Sequence, residues 1–438
     1  MDNHERKKFG LEKLTPYPSL ENADRKISFI NNDLTKINAV ISTSIDQIVV
    51  SNGTLANKWT KYNRNYFHYH SDIPMQNELV FASGRYEVDK DKYQDIDIEI
   101  YYDKKHPYNV QRMIDGVKRS FDFNTKNYCE FPFNNIRIVE IPDYMKGGGA
   151  RSQPGVFIWR EGAGFTNNYN DPEIVDMMFG ICVHEMAHQW WGYVVTPAYA
   201  EGAFMLTETM AQYVEAMCNE YEYGIKMSRK YLKNEMESYL KRRKTDYGGE
   251  RPMMRSLATQ HYLNYPKSSV IMYALHDYIG LDSLSSALKR LLDEYKYNNK
   301  FPLSSDFVNE IKKSTPDSMK YLVTDLFEKI TLYENETESA IFEELSNGKY
   351  KVRMNVKTAK YYADSIGIQA KQPLNDYIYI GVLNKDKEEI YYKKHKFTQD
   401  HTKIEVIVDE EPYYAGIDPF IVLIDRDRDN NLKKVLVE

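Results

Sequence analysis

The 438-residue sequence predicts an α+β multidomain protein: a β-rich N-terminal part, a mainly helical middle, and a small β-sandwich-like domain at the end. Three patterns predict it. Before about residue 103, Ile96, Ile98 and Ile100 alternate with Asp95, Asp97 and Glu99, the two-residue period of a half-buried strand. From about 107 to 330, apolar residues recur three and four apart, as in Leu284, Leu288, Leu291 and Leu292. From about 340 the alternation returns, with Tyr350, Val352, Met354 and Val356 set against Lys351, Arg353 and Asn355, and again with Ile404, Val406 and Val408.

The expected domains are therefore 1–103, 104–332 and 333–438. Asn52-Gly53 and the run Asp89-Lys90-Asp91-Lys92 read as turns in the first of them. Upstream of the central motif, Asp171-Pro172 offers an N-cap and a first-turn proline to a helix carrying Ile174, Met177, Met178 and Ile181.

Composition narrows the function. Hydrophobic residues make up 42% and charged residues 28%, a globular balance. A net charge of −6 gives no basic footprint, which argues against a nucleic-acid partner. Cys129, Cys182 and Cys218 are too few and too far apart for a disulfide framework or a zinc ribbon, and read as buried thiols. The N-terminus is polar, without the apolar core of a signal peptide, and no run reaches the ~20 apolar residues of a membrane helix. The chain as given reads as soluble.

The chemistry lies in Val183-His184-Glu185-Met186-Ala187-His188-Gln189-Trp190-Trp191-Gly192. Two histidines four apart share one helical face and can bind a single Zn²⁺, with Glu185 beside them to activate water. Ten histidines and 64 acidic residues would produce roughly 0.03 such matches by chance, so the motif is informative. Gly192 and Pro197 are expected to end the helix. A third ligand is needed. Glu208 begins a second helical segment, Leu206 to Glu215, and is preferred to Glu201 in the loop and to Glu215 two turns further on.

On these residues the chain resembles the aminopeptidase N and leukotriene-hydrolase family of zinc metallopeptidases, the gluzincins. Nineteen residues separate His188 from Glu208, one more than the family's usual spacing, and the Glu stands in Thr-Glu-Thr rather than Asn-Glu-Gly. The chain looks more closely like the peptidase half of bacterial proteins in which such a domain follows an ABC-type permease. Tyr66-Phe67-His68-Tyr69-His70-Ser71-Asp72, Ser83-Gly84-Arg85-Tyr86-Glu87-Val88 and Ala415-Gly416-Ile417-Asp418-Pro419 carry that likeness. The resemblance implies one Zn²⁺, a peptide substrate, a partial N-terminal β domain, a thermolysin-like, mainly α catalytic domain with a small β domain after it, and a membrane-associated parent whose permease portion lies outside this chain.

Two site motifs follow from it. Tyr265, in Tyr265-Pro266-Lys267-Ser268, matches the family's oxyanion-donating tyrosine, with Tyr262 as the alternative. Gly149-Ala150-Arg151-Ser152-Gln153 matches the Gly-Ala-Met-Glu-Asn segment whose Glu grips the substrate's α-amine. Here Ser152 replaces that Glu, and a hydroxyl cannot supply the ionic partner that an ammonium prefers. Gly149, Ala150, Ser152 and Gln153 are still expected to line the substrate as an edge strand.

The reading is zinc-dependent peptide hydrolysis of aminopeptidase type, with Glu185 as general base. Endopeptidase cleavage, or a non-catalytic peptide-binding or structural domain of a permease, are the alternatives. Among weaker signals, Asp425-Arg426-Asp427-Arg428-Asp429 resembles the start of a calcium loop but lacks its Gly and final Glu, and reads as a polar turn. Lys241-Arg242-Arg243-Lys244 reads as a solvated helix end. Asn52-Gly53-Thr54 and Asn335-Glu336-Thr337 match the glycosylation acceptor pattern.

Overall fold

A computed structural model describes residues 3–11, 17–30, 33–145, 148–168, 171, 173–246, 248–296 and 300–438. The chain divides into two units. One comprises Met1–Tyr231, Leu257–Thr259 and Ser285–Glu310; the other comprises Leu232–Ser256, Gln260–Leu284 and Ile311–Glu438.

In the first unit, Asn38–Ser44, Arg64–His70 and Thr54–Lys61 form a three-stranded antiparallel sheet in that order. A second sheet runs Ala150–Gln153, Val156–Arg160, Asn135–Ile141, Ile96–Tyr102, Glu87–Tyr93. Its three central strands are parallel and the two outer ones antiparallel. Parallel neighbours need a crossover, and the helix Val110–Asn127 supplies it between Ile96–Tyr102 and Asn135–Ile141. Asn135–Ile141 and Val156–Arg160 are buried almost throughout, so they lack the alternation that marks a one-sided strand. That is why Asn135–Ile141 and Val156–Arg160 went unseen in the apparently helical stretch. The expected boundary at 103/104 falls between members of this one sheet.

The turn expected at Asp89–Lys92 is instead the strand Glu87–Tyr93. Its charges are carried on an outer strand, where Lys90 pairs with Glu99 at 2.6 Å and Asp91 with Lys118 at 2.7 Å. The chain reverses just after it, where Gln94 takes a positive φ of 51°.

The helix Met177–Ala187 lies on the crossover helix. At their crossing a Cβ on Gly116 would stand 2.8 Å from Cys182 Cβ, so glycine lets the two backbones approach. Phe121, Phe131 and Trp190 pack edge-on or tilted beside it. Cys182 and Cys218 are buried as expected; Cys129 is only partly so.

The second unit ends in two sheets. One is built on the long hairpin Ile330–Glu344 and Tyr350–Ala363, with His401–Val408 paired to the latter; the other runs Glu389–Phe397, Asp376–Leu383, Tyr414–Ile417, Leu432–Lys434. Leu332, Val352, Val356, Ile378, Ile380 and Ile417 form the buried filling. Arg243 is not the solvated helix end expected: it pairs with Glu250 at 2.7 Å. Asn335, like Asn52 in the first unit, is buried and hydrogen-bonded, so neither presents an acceptor site at the surface.

Candidate active site

The helix Met177–Ala187 starts later than the sequence suggests. Asp176, not Asp171, caps it, accepting from Met178 N and Phe179 N at 3.1 Å; Pro172 lies outside the described residues. The helix closes at Ala187, with His188 as its C-cap residue, before Gly192. His184 and His188, one turn apart, project from the same face, their rings 4.9 Å apart and nearly perpendicular.

After Gly202, held at a φ of 77°, a 3₁₀ turn over Ala203–Leu206 delivers the chain into the helix Glu208–Arg242. Glu208 therefore occupies its first position. His184, His188 and Glu208 converge: one ligand atom from each lies within 4.8 Å of the others. Glu208 Oε2 is 3.2 Å from His184 Nε2 and 3.5 Å from His188 Nε2. Glu201 is elsewhere, accepting from Leu20 N at 3.2 Å.

Glu215, the other rival, stands behind the site. Its Oε2 is 3.2 Å from His184 Nδ1, which directs the opposite ring nitrogen toward Glu208. Gln212 Nε2 donates to the same Glu215 oxygen at 2.8 Å, and Tyr231 donates to Gln212 Oε1 at 3.1 Å. His188 Nδ1 lies 3.2 Å from the Trp191 carbonyl, a similar brace on the second ring.

The electrostatics favour positive charge here. Burial would depress His184, but the hydrogen bonds its ring makes to the Glu208 and Glu215 carboxylates outweigh it and lift its pKa to about 10. Burial works against the charge on Glu208, yet His188 and His184 hold its carboxyl well below the usual range. Burial pushes the Glu185 carboxyl up.

The strand Ala150–Gln153 is the edge of the five-stranded sheet. Gly149 precedes it, and Gly155 turns the chain at a φ of 69° into Val156–Arg160. Ser152 is buried and its hydroxyl is engaged: it donates to the Glu185 carbonyl at 2.9 Å and accepts from Gln189 Nε2 at 2.7 Å. Gln189 also donates to the Gln153 carbonyl and accepts from Gly155 N. Tyr193 donates to the Ser152 carbonyl at 2.6 Å, and its hydroxyl lies 3.2 Å from Glu78 Oε2. Gln153 Oε1 is buried without a hydrogen-bond partner among the described residues.

Gln189, Tyr193 and Glu78 were not singled out in the sequence. Gln189 follows the motif directly and could have been; Glu78 stands in an N-terminal segment with no pattern to mark it.

Tyr265 belongs to the second unit. It sits in a π-helical turn, Leu263–Lys267, that accommodates Pro266, and its ring stacks on His261 at 5.9 Å. The turn is anchored by Lys267, fully buried and paired with Glu250 at 2.9 Å. Tyr262 spends its hydroxyl on Asp246 at 2.7 Å.

A His-Glu-x-x-His helix followed by a helix opening on a glutamate, beside a mixed sheet, is an arrangement of gluzincin type. Residues 112–328 match the peptidase family M1 domain, so the chain carries a domain of that family. It is 25% identical over 248 residues to the aminopeptidase N of Lactobacillus helveticus, a match covering 53% of this chain and 29% of that protein. It is 23% identical over 284 residues to the glutamyl aminopeptidase of Rattus norvegicus, covering 61% and 28%. The chain thus spans less than a third of the length of these curated relatives. Among solved structures, the aminopeptidase A of Legionella pneumophila in complex with aspartic acid superposes with a TM-score of 0.59 at 16% identity, covering 92% of this chain and 45% of that one, a likeness of fold.

Proposed function

We propose that the protein is a zinc-dependent peptidase that cleaves from a free N-terminus. The observation that carries this is the convergence of His184, His188 and Glu208 with Glu185 on the same helix. Two imidazoles and one carboxylate suit Zn²⁺ better than the all-oxygen cations, and Glu215 and Trp191 O brace the rings as such a site requires. Zn²⁺ held there supplies the Lewis acidity that polarises a scissile carbonyl and makes water a nucleophile near neutral pH. Glu185 takes the proton of the attacking water and passes it to the leaving amine. Tyr265 donates to the developing oxyanion, a role resting on its place in the Tyr-Pro-Lys-Ser segment.

The edge strand Ala150–Gln153, with Gly149 before it, pairs with an extended peptide through its backbone. Ser152 holds strand and helix together rather than gripping substrate. Glu78, one tyrosine hydroxyl away from Ser152, supplies the carboxylate for the α-amine, and Gln153 Oε1 supplies a second acceptor. Arg151, 3.5 Å from Glu78 and largely exposed, is its resting partner.

The test compares one peptide with a free and an acetylated N-terminus, with and without a zinc chelator. Cleavage of the free peptide alone, abolished by chelation, is expected. Full activity after chelation would sink the zinc reading. Equal cleavage of both peptides would indicate endopeptidase action, and cleavage of neither a peptide-binding domain. Glu185→Gln should retain zinc and lose about 10²–10⁴ in kcat.

A further inference from the structure

His106, Glu140 and Glu161 form a second cluster in the first unit, and none of them belongs to the peptidase site. A nitrogen of His106 and one oxygen from each carboxylate lie within 4.8 Å of one another. We propose that this cluster is a second metal site, binding one divalent transition-metal ion of the Mn²⁺ or Zn²⁺ class.

The topology gathers the three residues. Ile96–Tyr102, Asn135–Ile141 and Val156–Arg160 are adjacent parallel strands, so their carboxyl ends lie side by side. His106 follows the first strand, Glu140 is next to last in the second, and Glu161 comes directly after the third. The carboxyl edge of a parallel sheet is where such folds place ligands. Backbone donors fix each carboxylate through one oxygen: Asp103 N donates to Glu140 Oε2 at 2.6 Å, and Asp143 N to Glu161 Oε1 at 3.1 Å. The Glu161 backbone N–H in turn donates to the Ile141 carbonyl at 2.9 Å, which locks the third strand end to the second. Glu140 Oε1 is left facing His106 Nδ1 at 2.5 Å.

A simple histidine–carboxylate pair would account for His106 and Glu140 but not for Glu161. Two carboxylates brought to one imidazole carry more negative charge than a single protonated ring can balance. No lysine or arginine among the described residues pairs with either of them. Burial pushes the Glu140 carboxyl up, and the charge on Glu161 adds to that. Glu140 is nearly inaccessible, while the His106 side chain retains 21% exposure, enough for an ion to enter from solvent. One imidazole with two carboxylates selects a borderline transition ion over Ca²⁺ or Mg²⁺, which favour oxygen alone.

The full chain, first loaded with one Zn²⁺ per molecule, is titrated with Mn²⁺ while free Mn²⁺ is followed by electron paramagnetic resonance. One equivalent of Mn²⁺ should bind. Glu161→Gln and His106→Gln should each weaken that binding by at least about tenfold while the zinc content and circular dichroism stay unchanged. No uptake below millimolar Mn²⁺, or uptake unaltered in both folded variants, would overturn the assignment.

Discussion

The Ser152 hydroxyl donates to the backbone carbonyl of Glu185 at 2.9 Å, tying the edge strand of the sheet to the helix that carries the metal motif. Gln189 completes the tie by donating to that same hydroxyl. A residue standing where the family places its amine-binding glutamate is thus turned toward the helix. Ser152→Ala should therefore act as a structural lesion, lowering unfolding free energy by about 1–3 kcal/mol as two buried groups lose their partner. Ser152→Glu should not create an amine anchor, because it would bury a second carboxylate beside Glu185. Urea unfolding and peptide kinetics read both. A stable Ser152→Glu variant with a lower KM for free-amine peptides would show that the side chain faces substrate.

In the proposed zinc site, Glu215 acts through His184 rather than by ligation. Its carboxylate, steadied by Gln212 and Tyr231, sets which ring nitrogen faces Glu208. Glu215→Ala should lower zinc affinity by about 10–100-fold while leaving the three ligands in place. Equilibrium dialysis against a zinc buffer measures it. An unchanged affinity would reduce Glu215 to a packing role.

The order of strands, helices and strands was legible in the sequence because its ends are half-buried sheets, whose alternation survives in the residues. The parallel strands Asn135–Ile141 and Val156–Arg160 were not, since both faces are covered and alternation disappears. The charged strand Glu87–Tyr93 was misread as a turn because an outer strand tolerates charge on most positions. The convergence of His184 and His188 was legible because both histidines, with Glu185, obey helical spacing over five residues. The Glu215–Gln212–Tyr231 relay and the Ser152–Gln189 tie depend on how separate elements meet, which no local pattern encodes.

Tyr265 and Tyr262 make opposite predictions. The Tyr262 hydroxyl is committed to Asp246 at 2.7 Å, so Tyr262→Phe should cost about 0.5–1.5 kcal/mol in stability and leave turnover intact. Tyr265→Phe should lower kcat by about 10²–10³ with zinc content and KM little changed, as expected for a donor that acts on the transition state. The reverse pattern, with kcat lost in Tyr262→Phe alone, would transfer the oxyanion role to Tyr262.

Asp418 and Asp425 give the second unit a pH dependence of its own. Asp425 opens the Asp-Arg-Asp-Arg-Asp run, and the structure turns it inward, where it accepts from Asn335 N at 2.9 Å. Asp418 accepts from Val422 N and Leu423 N at 2.9 and 3.0 Å. Burial dominates over these hydrogen bonds and pushes both carboxyls up to about 7, from an ordinary value of 3.8. A folded-state pKa above the unfolded one means that the folded protein holds the proton more tightly. The stability this contributes is complete below about pH 4 and is lost as pH rises through about 7. Across that window each group should remove about 1.4 kcal/mol per pH unit from the unfolding free energy. Carboxyl ¹³C resonances of labelled aspartate should show two midpoints near 7. If all aspartates in the folded chain are ionised by pH 5, backbone donors rather than burial set their charge, and the stability of this unit should then be flat between pH 5 and 8.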